Sequence, residues 1–247
     1  MIELALIGIG MGNPDHLTRA AVAAINGADL ILIPRKAGER GDLADLRHQV
    51  LATVLTASVP VAEFDMPERD GRADYRGAVD DWHDEIARRW LAALRAHLPQ
   101  GGQAVLLVWG DPSLYDSTLR IAARLEALRV TVVPGITSLH LLTAAHRVPL
   151  NGLGGAVTIT TGRRLRDHGW PGDAGSVAVM LDAGGAFSVL DPAGIHIWWG
   201  AYVGMAQETL IAGPLTDVAA QIIATRAELR ARHGWIMDIY LMRRGMG

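Results

Sequence analysis

IELALIGIGMGNPDHLTRAAVAAINGADLILIP, residues 2–34, sets two apolar runs on either side of a helical stretch. Residues 2–10 are rich in Ile and Leu and end in glycines, the pattern of a buried parallel strand opening into a loop. In 15–28, Leu17, Ala20, Ala21, Ala24 and Ile25 keep helical spacing, with Asn13 or Asp15 as N-cap and Pro14 near the first turn. Asn26-Gly27 stops that helix. DLILIP (29–34) is a second buried strand, closed by Pro34. Strand, helix, strand in this order predicts a parallel sheet with a right-handed crossover.

The alternation continues outward. Residues 36–48 read as a loop plus short helix, and TVLTASVPVAEFDMP (53–67) as a strand then a loop. The charge run 68–77 reads as a solvated loop. Residues 80–98 form a helix whose Trp82, Ile86, Trp90, Leu94 and Leu98 make a core-facing stripe. QAVLLVWGDP (103–112) is a strand into a loop, STLRIAARLEAL (117–128) a helix, and 130–150 a strand, turn and helix. NGLGG (151–155), led by Pro149, is the expected boundary. Strands at 156–161, 176–181, 195–200 and 235–242 follow, with one helix near 215–232. The expected fold is α/β in two domains: a parallel sheet with helices over 1–150 and a mixed sheet over 151–247.

The chain of 247 residues is half hydrophobic and 20% charged, with a net charge of −3 and no cysteine. That composition is globular and excludes disulfides, zinc ribbons, iron–sulfur clusters and thiol nucleophiles. Mild acidity gives no reason to expect nucleic acid or an anionic membrane as partner. No apolar run is long enough to span a bilayer and no signal peptide is evident, so a cytoplasmic location is expected. No His pair has H-E-x-x-H spacing, so no metal is expected. All basic residues but one are arginine, and Lys36 is the exception. Codon bias explains that most simply, although many guanidinium forks also suit a ligand rich in carboxylates.

Three loops carry the chemistry. GIGMGNPDHLT (8–18) has glycines at 8, 10 and 12, but the third glycine of the dinucleotide fingerprint falls at Asn13. The required acidic residue is also missing from the end of the second strand. A nicotinamide-dependent oxidoreductase therefore stays open only as a weak rival. WGDPSLYDST (109–118) follows a strand, where open α/β sheets bind ligands; Asp111 there is a ligand group or a helix cap. VPGITS (133–138) is again strand into helix, with Thr137 and Ser138 offering hydroxyls.

Taken in this order, the three loops resemble the tetrapyrrole (corrin/porphyrin) methyltransferases, and GAYVGMAQETLIAGPL (200–215) is similar to a second-domain segment of that family. The strings ADLILIPRK (28–36), DLADLR (42–47), GIHIWWGAYVGM (194–205) and HGWIMDIYLMRRG (233–245) resemble the branch that methylates precorrin-5 at C-1 and releases an acetyl group as acetate. Two departures stand out: Trp109 replaces the first glycine of a usual pair, and Trp235-Ile236 replaces a usual Pro-Ala. A different precorrin methylation step is the nearest alternative.

The resemblance implies a two-domain fold with S-adenosylmethionine folded between the domains, S-adenosylhomocysteine as product and no metal. By motif position, Gly110, Asp111, Pro112, Ser113 and Leu114 hold the methionine end and ribose, with Thr137 and Ser138. Met180, Leu181, Tyr202, Val203, Trp235, Ile236 and Met237 pack around adenine. Gly8, Gly10, Gly12, Asn13 and Pro14 face the tetrapyrrole, and Arg35, Lys36, Arg163 and Arg164 grip its carboxylates. Tyr115, Asp116 and His140 are the candidates for handling the water that removes the acetyl group, although a histidine in such a place is more often a cap or surface residue. The implied partners are precorrin-5 and water, with a homodimer and transfer between neighbouring pathway enzymes beside them.

Overall fold

The computed structural model describes residues 1–35, 42–68 and 75–245. The chain divides into two compact units, Met1–Thr137 and Ser138–Gly247. Among the described residues no helix is long and apolar enough to cross a membrane.

The first unit is built on five strands: β1 (Ile2–Gly8), β2 (Leu30–Arg35), β3 (Val61–Asp65), β4 (Gly102–Val108) and β5 (Arg129–Val133). They form one sheet in the order β3-β2-β4-β1-β5, every pairing parallel. The helices are α1 (Arg19–Asn26), α2 (Asp42–Val54), α3 (Tyr75–His97) and α4 (Thr118–Ala122). Because strand side chains alternate faces, the sheet sorts its residues into two cores. Leu4, Leu6, Leu30, Leu32 and Leu106 pack with Ile86, Trp90 and Leu94 of α3 and with Leu98 just beyond its end. Ile7, Ile31, Ile33 and Leu107 pack with Ala21 and Ile25 of α1 and Leu51 of α2. The α3 stripe is thus core as its spacing predicts; Trp82, at its edge, donates from Nε1 to the Pro67 carbonyl at 2.7 Å.

Residues 53–67 hold the end of α2, a loop and then β3, where a strand followed by a loop is expected, and two further helices differ. Asn13 caps only a 3-10 turn, Pro14–His16, and α1 begins afresh at Thr18, whose side chain accepts from the Ala21 amide. The helix expected over 117–128 is only the five residues of α4, followed by turns.

The second unit carries β6 (Val157–Thr161), β7 (Ser176–Met180), β8 (Ile195–Ala201), β9 (Thr209–Pro214) and β10 (Asp238–Arg244), in the order β6-β7-β10-β8-β9. β6 and β7 are parallel and the other pairs antiparallel, so the sheet is mixed as expected. β9 and α6 (Gly162–His168) add to the expected elements, beside α7 (Leu215–His233). α5 (Ser138–His146) packs on β8, β9 and β10. It therefore belongs to this unit, and the chain changes units before residue 138 rather than at 150/151. The core centres on Val177, Val179, Ile197, Trp199, Tyr240 and Met242, closed by Phe187, Leu215 and Ile222.

Candidate functional site

In the first unit the candidate residues lie where β1, β4 and β5 end. The loop after β1 and the loop after β4 are laced together: the Gly110 amide donates to the Gly10 carbonyl at 2.7 Å and Gly10 returns the bond at 3.2 Å. The loop after β5 presses on both. A Cβ on Gly135 would lie 2.2 Å from the Gly110 carbonyl oxygen, so only glycine permits this approach. Asp111 locks the arrangement. Its Oδ1 accepts from the Ser113 amide at 2.8 Å, and its Oδ2 from the Gly135 amide at 2.9 Å. The carboxylate therefore braces one strand-end loop against the next, and it does not cap α4.

Around this brace the expected residues take distinct places. Gly8 and Gly10 are buried, Gly12 turns at positive φ, Asn13 accepts from the Asp15 amide and Pro14 opens the 3-10 turn. Pro112 and Thr137 are buried, while Ser113 is exposed and Leu114 half-buried. Tyr115 is exposed with φ 51°. The Asp116 Oδ1 accepts from the Thr118 amide at 2.6 Å and from its hydroxyl, anchoring the start of α4. Arg35 ends β2 in a surface pair with Glu63, 2.7 Å away, which also meets His48 at 2.8 Å. Lys36 lies outside the described residues.

In the second unit the expected residues gather at one end of the sheet. β10 runs antiparallel to β8, so the start of the one lies beside the end of the other, with Asp238 opposite Ala201. The Tyr202 amide donates to the Met237 carbonyl at 2.8 Å and its hydroxyl to the Trp235 carbonyl at 2.5 Å. Its ring meets Trp235 edge-on at 4.9 Å. Tyr202 and Val203 are buried, so at the strand end they offer backbone rather than side chains. Ile236 and Met237 are half-buried. Leu181 follows Met180 at the end of β7, 65% exposed and at φ 52°. Ser138 and His140 stand on the first turn of α5, His140 exposed; Arg163 and Arg164 are exposed on α6.

Sequence reasoning missed a buried polar group beneath this edge. Asp182 accepts from the Gly184 and Ala186 amides at 3.0 and 2.6 Å and from the Tyr240 hydroxyl at 2.7 Å. Burial, reinforced by Asp182, pushes the Tyr240 phenol up. Arg226 donates to the Asp182 carbonyl at 2.7 Å and to Asp238 at 2.9 Å. Burial pushes the Asp238 carboxyl up, and the Arg226 hydrogen bonds pull it partly back. No periodicity marks these residues, because their partners are far away in sequence.

Among the described residues four non-glycine positions have positive φ: Tyr115, Leu181, Tyr202 and Arg147. Three of them fall in the expected strand-end segments. Left-handed backbone costs an ordinary residue about 1–2 kcal/mol, and such strain collects at functional sites. The donor set also has a chemical sign. Neither 8–14 nor 109–116 contains Lys or Arg, while Asp111 and Asp116 are acidic. Backbone, hydroxyls and carboxylates suit a cationic sulfonium with a ribose, and suit poorly a pyrophosphate that needs a basic cradle. The residues present thus fit S-adenosylmethionine. No group of three His, Asp or Glu among the described residues is placed to hold a metal ion.

Two α/β units with glycine-braced loops at the strand ends define a methyltransferase of the tetrapyrrole type, and residues 3–219 match the Tetrapyrrole (Corrin/Porphyrin) Methylases. The chain belongs to that family. It is 44% identical to a precorrin-6A synthase [deacetylating] of Sinorhizobium, over 99% of this chain and 96% of that protein. It is similar over 99% of both chains to the crystal structure of a cobalamin synthesis related protein (CobF) of Corynebacterium diphtheriae, with TM-score 0.85 and 35% identity. A uroporphyrin-III C-methyl transferase of Thermus thermophilus, complexed with S-adenyl homocysteine, shares the fold at TM-score 0.61 and 20% identity.

Proposed function

We propose that this chain methylates precorrin-5 at C-1 with S-adenosylmethionine and releases the acetyl group there as acetate, giving precorrin-6A in cobalamin biosynthesis. The observation that carries the reading is the end-to-end likeness to the Sinorhizobium synthase.

Bound S-adenosylmethionine supplies a methyl already activated on a sulfonium, with a neutral leaving group. The chain's task is orientation, which removes much of the barrier when the reacting atoms are held in line. In the proposed assignment Gly110–Leu114, Thr137 and Ser138 hold the methionine end and ribose. Met180, Leu181, Tyr202, Val203 and Trp235–Met237 hold adenine. Asp111 also fixes the first set by bracing its loop on Gly135, and Tyr202 fixes the second by joining the end of β8 to the residues before β10. Gly8–Pro14 and the Arg35, Lys36, Arg163 and Arg164 side chains face the tetrapyrrole and its carboxylates.

Deacetylation needs water to add to the acetyl carbonyl. The bond from that carbon to the ring then breaks, its electron pair stays with the macrocycle, and acetate leaves carrying the water oxygen. Tyr115, Asp116 and His140 are assigned to position that water and accept its proton. Tyr115 is exposed, at a left-handed turn.

Calorimetric titration with S-adenosylhomocysteine and with NAD tests the cofactor half of the reading. One tight site for the former and none for NAD is expected; NAD binding alone overturns it.

A further inference from the structure

Arg47 is a charged side chain only 7% exposed, within the first unit. A buried cation is costly unless several groups answer it. It reaches from α2 to the end of β4 and the first residue after it. Its Nε donates to the Leu107 carbonyl at 3.1 Å, and its Cζ stands 5.0 Å from the centre of the Trp109 ring. The Asp116 carboxylate, beyond the loop that follows, favours its charge. Burial lowers the Arg47 pKa to about 10, and Asp116 opposes that shift.

Between Trp109 and Asp116 run Gly110 to Tyr115, the segment that turns left-handed at its first and last residues. The far end is tied to α4 through Asp116 and the Thr118 amide. At the near end the buried Nε1 of Trp109 has no hydrogen-bond partner among the described residues. Stacking against the guanidinium therefore orients this indole where a hydrogen bond of its own does not.

We infer that Arg47 is a positioning residue that sets the shape of the 110–115 loop, and through it the affinity for the methyl donor. This rests on the assignment of that loop to S-adenosylmethionine. The choice of arginine is specific. A planar guanidinium stacks on an indole and donates from its edge at once, which a lysine ammonium cannot do.

The test titrates S-adenosylhomocysteine into the wild-type chain, Arg47→Met and Arg47→Lys, with a melting curve for each. Arg47→Met is expected to weaken binding at least about tenfold, and Arg47→Lys to recover part of that loss, in protein that remains folded at the titration temperature. Where Arg47→Met alone fails to fold, weakened binding by folded Arg47→Lys still supports the inference. Wild-type affinity in the folded variants overturns it. So does loss of the fold in both, which makes Arg47 a stability residue. Absence of binding by the wild-type chain removes the cofactor assignment, and the inference with it.

Discussion

Arg226 and Asp238 form a two-point ion pair inside the second unit, with Nε 2.9 Å from Oδ2 and Nη2 3.3 Å from Oδ1. The Asp238 side chain is 4% exposed, and its Oδ2 also accepts from the Trp199 indole at 3.0 Å. The same Nη2 donates to the Asp182 carbonyl, one residue beyond Leu181. A single α7 side chain thus ties the end of β7 to the start of β10.

Removing one partner of such a pair strands the other. Asp238→Ala should cost about 3–5 kcal/mol in the second unit, read by urea denaturation. Replacing both residues with apolar ones of similar volume should cost much less. A loss under about 1 kcal/mol for Asp238→Ala contradicts the buried pair, since that is the range of exposed ones.

Asp111 joins two strand-end loops, so its effect should appear in both stability and binding. Asp111→Ala leaves the Gly135 and Ser113 amides without their acceptor, at about 1–3 kcal/mol each where buried. A lower melting temperature together with weaker S-adenosylhomocysteine binding is expected. A lower melting temperature with an unchanged Kd would confine Asp111 to the fold.

Leu181 separates strain from packing. Its side chain is mostly exposed, so Leu181→Gly gives up little buried area while relieving left-handed backbone. The gain of about 1–2 kcal/mol is offset by roughly 1 kcal/mol of glycine entropy. Thermal melting should therefore change little, while S-adenosylhomocysteine binding weakens. Unchanged binding would remove Leu181 from the adenine contacts.

Burial holds the His146 pKa below its ordinary 6.5, against the bond of its Nε2 to the Trp199 carbonyl and the charge of Glu208. His196 is lowered by burial and then by His146. In the folded state both resist protonation that the unfolded chain accepts. Their contribution is present above pH 6.5 and is lost as pH falls below it through the folded values. The second unit should therefore weaken on acidification from pH 7.5 to about 5.5. His146→Gln should flatten that slope in a denaturation series, and an unaltered slope would contradict it.

The parallel sheet was legible in the sequence because Leu4, Leu6 and Leu30, Leu32 alternate with Ile7 and Ile31, Ile33, and the glycine loops punctuate their ends. β9 escaped because TLIAGP (209–214) has no apolar–polar alternation in its sequence, although its burial alternates along the strand. α4 was overread: the apolar spacing of 117–128 continues past Ala122, but the backbone leaves the helix for turns. Within the site, the loop positions could be read from glycines. What Asp111, Arg47 and Arg226 hold could not, since Gly135, Leu107 and Asp182 lie 24, 60 and 44 residues away.

The most direct measurement is turnover of precorrin-5 with S-adenosylmethionine in oxygen-18 water, with mass analysis of acetate and corrinoid. One labelled acetate and one S-adenosylhomocysteine per product methylated at C-1 is the expected result. A methylated product that keeps its acetyl group, or acetate without label, would contradict hydrolytic deacetylation by this chain.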